Sequence, residues 1–125
     1  VLNDDFVFAA PETKIKDAVK KLVKAEASEG YCVGDDKKFI GKFSLQGLLV
    51  APQLASLKVH LITEPVVLNH DASIAQAMEV ASHFVGETIP VINHENGQIV
   101  GVVSEGDIFG AYLTTQSRVR DLEHN

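Results

Sequence analysis

Ile89-Pro90-Val91-Ile92, a turn, and Ile99-Val100-Gly101-Val102-Val103-Ser104-Glu105-Gly106-Asp107-Ile108-Phe109 decide the fold, because the chain writes this stretch twice. The earlier copy is Gly30-Tyr31-Cys32-Val33, a turn, and Phe39-Ile40-Gly41-Lys42-Phe43-Ser44-Leu45-Gln46-Gly47-Leu48-Leu49. Working outward, each copy is preceded by a short apolar strand, a polar turn and an amphipathic helix, so residues 6–49 and 66–109 share one order. A duplicated unit of this size usually cannot bury its apolar face alone. Two copies packed together can, and the seam between them tends to form clefts.

The elements follow from periodicity. Phe6-Val7-Phe8 reads as a strand ended by the turn at Pro11, and Thr13 as the N-cap of a helix over 14–27. Ile15, Ala18, Val19, Leu22 and Val23 form its apolar stripe, and Gly30 is expected to punctuate its end. Residues 31–34 and 38–43 read as strands, Ser44 as the cap of a short helix over 45–50, and 52–61 as a linker. In the second copy, Val66-Val67-Leu68 is a strand, and Asp71 or Ser73 caps a helix with Ile74, Ala77, Met78 and Ala81 on one stripe. Residues 89–92 and 98–103 are strands around the Asn96-Gly97 hairpin turn. Ser104 caps a last helix over about 105–116. Strands interleaved with helices make this an α/β (α+β) chain of two β-α-β-β-α units. The expected boundaries are repeat one at about 5–51, the linker at 52–61, repeat two at about 62–114 and a charged tail at 115–125.

Composition excludes several classes of function. The chain has 125 residues and a net charge of −6. Residues 1–50 balance eight Lys against eight acids, whereas residues 51–125 set Lys58, Arg118 and Arg120 against nine acids. This argues against nucleic-acid binding, which needs a basic surface. Lys14, Lys16, Lys20, Lys21 and Lys24 alternate with the apolar stripe and read as a solvated helix face. No apolar run reaches the roughly 20 residues that span a membrane, so direct insertion is not expected. The chain opens at Val1 rather than Met, which reads as a segment of something longer. Cys32, the one cysteine, reads as a small buried hydrophobe. The five histidines, His60, His70, His83, His94 and His124, form no pair at metal-ligand spacing on one element, so no metal site is expected. There is no nucleophile elbow, Walker loop or dinucleotide fingerprint, and Gly101-x-x-x-x-Gly106 lacks the following Lys of a phosphate loop. Catalysis is not expected.

Hydrophobic-Pro-Val-Ile, a turn, then Gly-hydrophobic-hydrophobic-Ser-x-x-Asp-hydrophobic in residues 89–108 resembles the end of a CBS domain. With both repeats, the resemblance covers nearly the whole chain as a tandem CBS pair, or Bateman module. It implies two units packed with pseudo-twofold symmetry, a homodimer, and a regulatory role in which adenine nucleotides (AMP, ADP or ATP) bind clefts between repeats. The stretch 106–113 running into Arg118-Val119-Arg120-Asp121-Leu122-Glu123 is similar to the end of cytosolic CBS modules of ClC-type chloride channels and transporters. That similarity implies a membrane-transport domain in the same parent chain and a cytoplasmic location.

The site reading centres on Ser104 and Asp107. Ser104 stands where a strand passes into a helix, so its hydroxyl and the first free amides could meet an anion. Asp107, one turn on, could accept both hydroxyls of a ribose. Pro90, with Ile89 beside it, removes an amide and stiffens the wall. The alternative is that Ser104 is simply an N-cap and Asp107 complements the helix dipole. In repeat one, Ser44 matches Ser104 but Gly47 stands in place of Asp107, and Pro90 corresponds to Cys32 or, with the gap placed differently, Tyr31. At most one nucleoside site is therefore expected. Tyr31 could stack on a base from across the pseudo-twofold, or pack in the core with its hydroxyl at the rim. Two functions stay open: a nucleotide sensor, and a dimerisation and docking module with an empty cleft.

Overall fold

The computed structural model describes residues 6–62, 65–84, 86 and 88–124, with side chains to residue 116. Asp5 and Glu64, near the starts of the expected repeats, and Asn125 lie outside them, as do the side chains of Arg118, Arg120 and His124. The first unit runs β1 (Phe8–Ala9), α1 (Ile15–Lys24), β2 (Glu29–Val33), β3 (Phe39–Ser44) and α2 (Leu45–Leu49). The second runs β4 (Leu68–Asn69), α3 (Ile74–Ser82), β5 (Ile89–Asn93), β6 (Gln98–Val103) and α4 (Glu105–His124). Each unit owns a three-stranded sheet, ordered β1-β2-β3 and β4-β5-β6. The first pair of strands in each is parallel and the second antiparallel.

The registers fix the correspondence between units. Cys32 pairs with Gly41, and Val91 with Gly101. Tyr31, paired with Lys42, is therefore the counterpart of Pro90, paired with Val102. Cys32 matches Val91 instead. Each hairpin also has a register shift at the next step, Cys32/Val33 and Val91/Ile92. Lys38 and Gln98, each just ahead of a matching strand core, bridge one another antiparallel. Equivalent positions that pair with each other mark a twofold axis between the units. Around it Tyr31, Ile99 and Val102 form a buried cluster with Phe6, Val33, Phe39 and Ile92 against it. The Phe39 N–H donates to the Gly97 carbonyl at 2.9 Å, and the Gln98 amide to the Asp36 carbonyl at 2.7 Å.

Local details depart from the sequence reading where tertiary contacts take over. Lys14, not Thr13, holds the N-cap position of α1, and no side chain caps it. The Ile15 and Lys16 amides donate instead to the Ala55 and Gln53 carbonyls of the linker. Gly30 lies inside β2; α1 ends at Ala25, before Glu26 at φ 54°. Ser73, rather than Asp71, caps α3, in a reciprocal capping box with Gln76. The last helix continues past 116 to His124, because residues 111–124 contain no Gly or Pro to stop it. The linker is not a bare spacer: Leu57–His60 form a 3-10 turn and Leu57 is fully buried.

Each unit has its own core. Ile15, Ala18, Leu22, Cys32, Phe43, Leu48 and Leu57 build the first. Leu68, Ala77, Ala81, Phe84, Ile89, Val91, Val103 and Ile108 build the second. Ala18, Leu22, Ala77, Ala81 and Phe84 are thus consumed inside the cores of their own units. Exposed apolar side chains lie elsewhere, on Leu49, Val50 and Leu54 and on Phe109 and Leu113. Lys42 is buried, its ammonium 2.6 Å from Glu29 Oε2 and 5.3 Å from the centre of the Phe84 ring, tying the first sheet to the second unit. Among the described residues no helix is long and apolar enough to cross a membrane.

Candidate functional site

Asp107 sits in the first turn of α4, placed there by Ser104 at the end of β6. The Ser104 N–H donates to Asp107 Oδ2 at 3.0 Å, and the Asp107 N–H donates to Ser104 Oγ at 3.0 Å. This reciprocal pair caps the helix. Hydrogen bonds from the Ser104 backbone, then from its side chain, hold the Asp107 carboxyl below the usual carboxylate range. In repeat one Ser44 Oγ accepts from the Gly47 N–H at 3.0 Å, with no carboxylate to return the bond.

Asp107 also faces a cavity of about 260 Å³. Its walls are Leu68, Asn69 and His70 from the end of β4, Ala72, Ser73, Ile74 and Ala77 from the start of α3, Val91, Val100 and Val103 from the sheet, and Ile108 and Ala111 from α4. Ile74, Asp107 and Ala111 continue into a shallower groove along α4 that reaches Thr114 and Thr115. Among the described residues neither lining contains Lys or Arg. The space is apolar with a few convergent polar groups, the usual make-up of a small-molecule site, and is slightly smaller than the roughly 300–1,000 Å³ such sites occupy.

This cavity lies within the second unit. Its walls Ile74, Ala77, Val91, Val103 and Ile108 correspond to Ile15, Ala18, Cys32, Phe43 and Leu48 of the first core. There the space is filled. The linker folds back, Leu57 joins that core, and the chain is pinned by the Leu57 N–H to the Thr13 carbonyl at 2.8 Å and by a Lys14–Ser56 bridge. Phe43 also brings more volume than Val103. Cys32, enclosed there, has its thiol pushed up to about 11 by burial, then by Glu12.

Of the five residues singled out from the sequence, Asp107 lines the cavity. Ser104 is half-buried and holds Asp107. Ile89 and Pro90 are fully buried in the sheet. Tyr31 is buried at the seam, its hydroxyl bonded to Thr88 Oγ1 and 3.3 Å from the Thr88 carbonyl. These three do not border the cavity. Asn69, His70 and Ser73 at its rim were missed, because they become neighbours of Asp107 only when β4 pairs in parallel with β5. The same pairing brings His70 and Asp71 beside His94, which no spacing along one element could reveal. Two apolar grooves flank the seam and are related by the twofold: one lined by Phe39, Ile40, Val67 and Ile92, the other by their counterparts Ile99, Val100, Phe8 and Val33.

Residues 58–114 match the family model of the CBS domain. The fold is similar to that of a CBS domain pair/ACT domain protein from Thermotoga maritima, with TM-score 0.78 and 16% identity, covering 91% of this chain and 93% of that one. It is similar to CBSX2 in complex with AMP, with TM-score 0.75 and 16% identity over 92% of this chain and 94% of that one. It is also similar to the cytosolic domain of the Mg2+ channel MgtE in complex with ATP, with TM-score 0.79 and 19% identity, covering 89% of this chain and 46% of that one. No curated protein matches the chain in sequence. Two β-α-β-β-α units about a twofold, the second matched as a CBS domain in its own right, give this chain the fold of a tandem CBS-domain pair.

Proposed function

We propose that the chain is a non-catalytic regulatory module that senses an adenine nucleotide in the cavity of its second repeat. The observation that carries this is the asymmetry of the repeats: an open cavity with a carboxylate on its wall in one, and a filled core with glycine at the matching position in the other. The apolar walls suit a base, and Asp107 suits ribose hydroxyls, since an ionised carboxylate offers about four acceptor sites and Ser104 uses only part of them. Described walls without Lys or Arg favour AMP over ADP or ATP. Similar folds crystallised with AMP and with ATP support the ligand class. Ile89, Pro90 and Tyr31 then act behind the wall, by stiffening the sheet and the seam.

The module is read as the cytoplasmic part of a membrane-transport protein, as the Mg2+ channel relative suggests. A ClC-type parent is the finer form of this reading and rests on the sequence of α4 alone. Homodimerisation is assigned to the exposed apolar residues of α2 and α4, Leu49 and its counterpart Phe109 among them. One observation favours the docking-module reading with an empty cavity: Asp107 already has a helix-capping role.

Isothermal titration with AMP, ADP, ATP and S-adenosylmethionine separates the two. The sensor reading expects binding of AMP that Asp107→Ala weakens about ten- to a hundredfold, the loss of a charge-assisted acceptor at roughly 1.5–3 kcal/mol. Silence with all four selects the docking module.

A further inference from the structure

We propose that His70, Asp71 and His94 form a binding site for a transition-metal dication of the Zn2+ class, at the rim of the second repeat. Each of the three offers a ligand atom, and these atoms lie within 4.8 Å of one another. Ligands of one zinc ion, bound at about 2.0–2.2 Å, stand roughly 3.3–4 Å apart. All three side chains are exposed, so small rotations close the remaining gap.

The backbone sets the cluster up. β4 and β5 are parallel, so their C-terminal ends lie side by side, and His70 and His94 each follow directly on one of them. The His70 N–H donates to the Ile92 carbonyl at 2.9 Å, locking that register. The imidazole rings stand 6.0 Å apart between centres at 35°. His94 opens a short hairpin turn held by the Glu95 N–H to Asn93 Oδ1 and the Gln98 N–H to Asn96 Oδ1.

A second feature points to a ligand role. His94 Nδ1 lies 2.7 Å from Asn69 Oδ1. That oxygen only accepts, so Nδ1 donates the hydrogen bond and Nε2 is the ring nitrogen left to face a metal. A histidine whose other nitrogen is held by an oxygen acceptor is the arrangement that orients metal-binding imidazoles. Two imidazoles with one carboxylate suit Zn2+, Co2+, Ni2+ or Cu2+ and disfavour the oxygen-seeking Mg2+ and Ca2+. With three protein donors, water completes the shell.

The test uses the full chain without a histidine tag, titrated with Zn2+ or Mg2+ in a non-coordinating buffer, with no nucleotide present. One Zn2+ per chain is expected, and no heat from Mg2+. His70→Ala or His94→Ala should each weaken Zn2+ binding more than tenfold. Asn69→Ala should weaken it about tenfold through loss of the orienting bond. His83→Ala, at the separate exposed His83–Glu79 pair, should leave it unchanged. Zn2+ affinity unchanged in His94→Ala, or half an ion per chain with dimers forming in sedimentation only when Zn2+ is added, overturns the site. The nucleotide reading stands or falls apart from this result.

Discussion

The two repeats share an element order, a strand register and a serine cap, yet treat the space between sheet and helices in opposite ways. In the first, the linker returns and Leu57 closes it. In the second, α4 runs straight on and the space stays open beside Asp107. One architecture thus yields a sealed half and a receptive half. The difference lies in the path of the chain after the last helix of each unit and in a few side-chain volumes, not in the motif itself.

The comparison breaks most severely at Leu57. Leu57→Ala removes a fully buried side chain from the first core, and should lower unfolding free energy by about 3 kcal/mol in chemical denaturation. A loss near zero would mean that the linker does not seal the first repeat.

Next comes a volume trade across the sheets. Gly30 opposes Phe43, whereas their counterparts are Ile89 and Val103. A Cβ on Gly30 would stand 2.5 Å from the Phe43 ring. Gly30→Ala should therefore cost about 2 kcal/mol, and adding Phe43→Leu should recover part of it, measured as coupling in a double-mutant cycle. Additive losses would sink the trade.

The smallest effect is at the caps. Asp107→Ala should cost about 1 kcal/mol at neutral pH, since it removes half of a reciprocal capping pair. The native carboxyl is held below its ordinary value of about 3.9, so its contribution is full above that pH and fades as pH falls through the native value. Parent and variant should converge in stability only as the pH falls through that lower native value. A gap that persists in acid would place the effect in packing rather than charge.

Much of this was legible in residues. The matched Gly41 and Gly101, the Asn96-Gly97 turn and the Ser44 and Ser104 caps fixed the repeat, its hairpins and its helix starts, and Asp107 stood out because Gly47 did not match it. What was not legible depended on register and on long-range return of the chain. The bulge after Cys32 left two partners open for Pro90 until pairing chose Tyr31. Gly30 looked like a helix stop because its real constraint is a ring across the sheet. Leu57 sat in a segment too mixed to show a period, and its burial comes from folding back onto α1. His70 and His94 are 24 positions apart and meet only through parallel pairing of short strands.

The claim that the second repeat is the receptive half is tested most directly by following backbone amide NMR shifts as AMP is added. Shifts should concentrate on the rim and walls of the open cavity, at Asn69, His70, Ser73 and Asp107, while Gly47, Leu57 and their neighbours stay still. Shifts centred on Gly47 and Leu57, or no shifts at millimolar AMP, would contradict it.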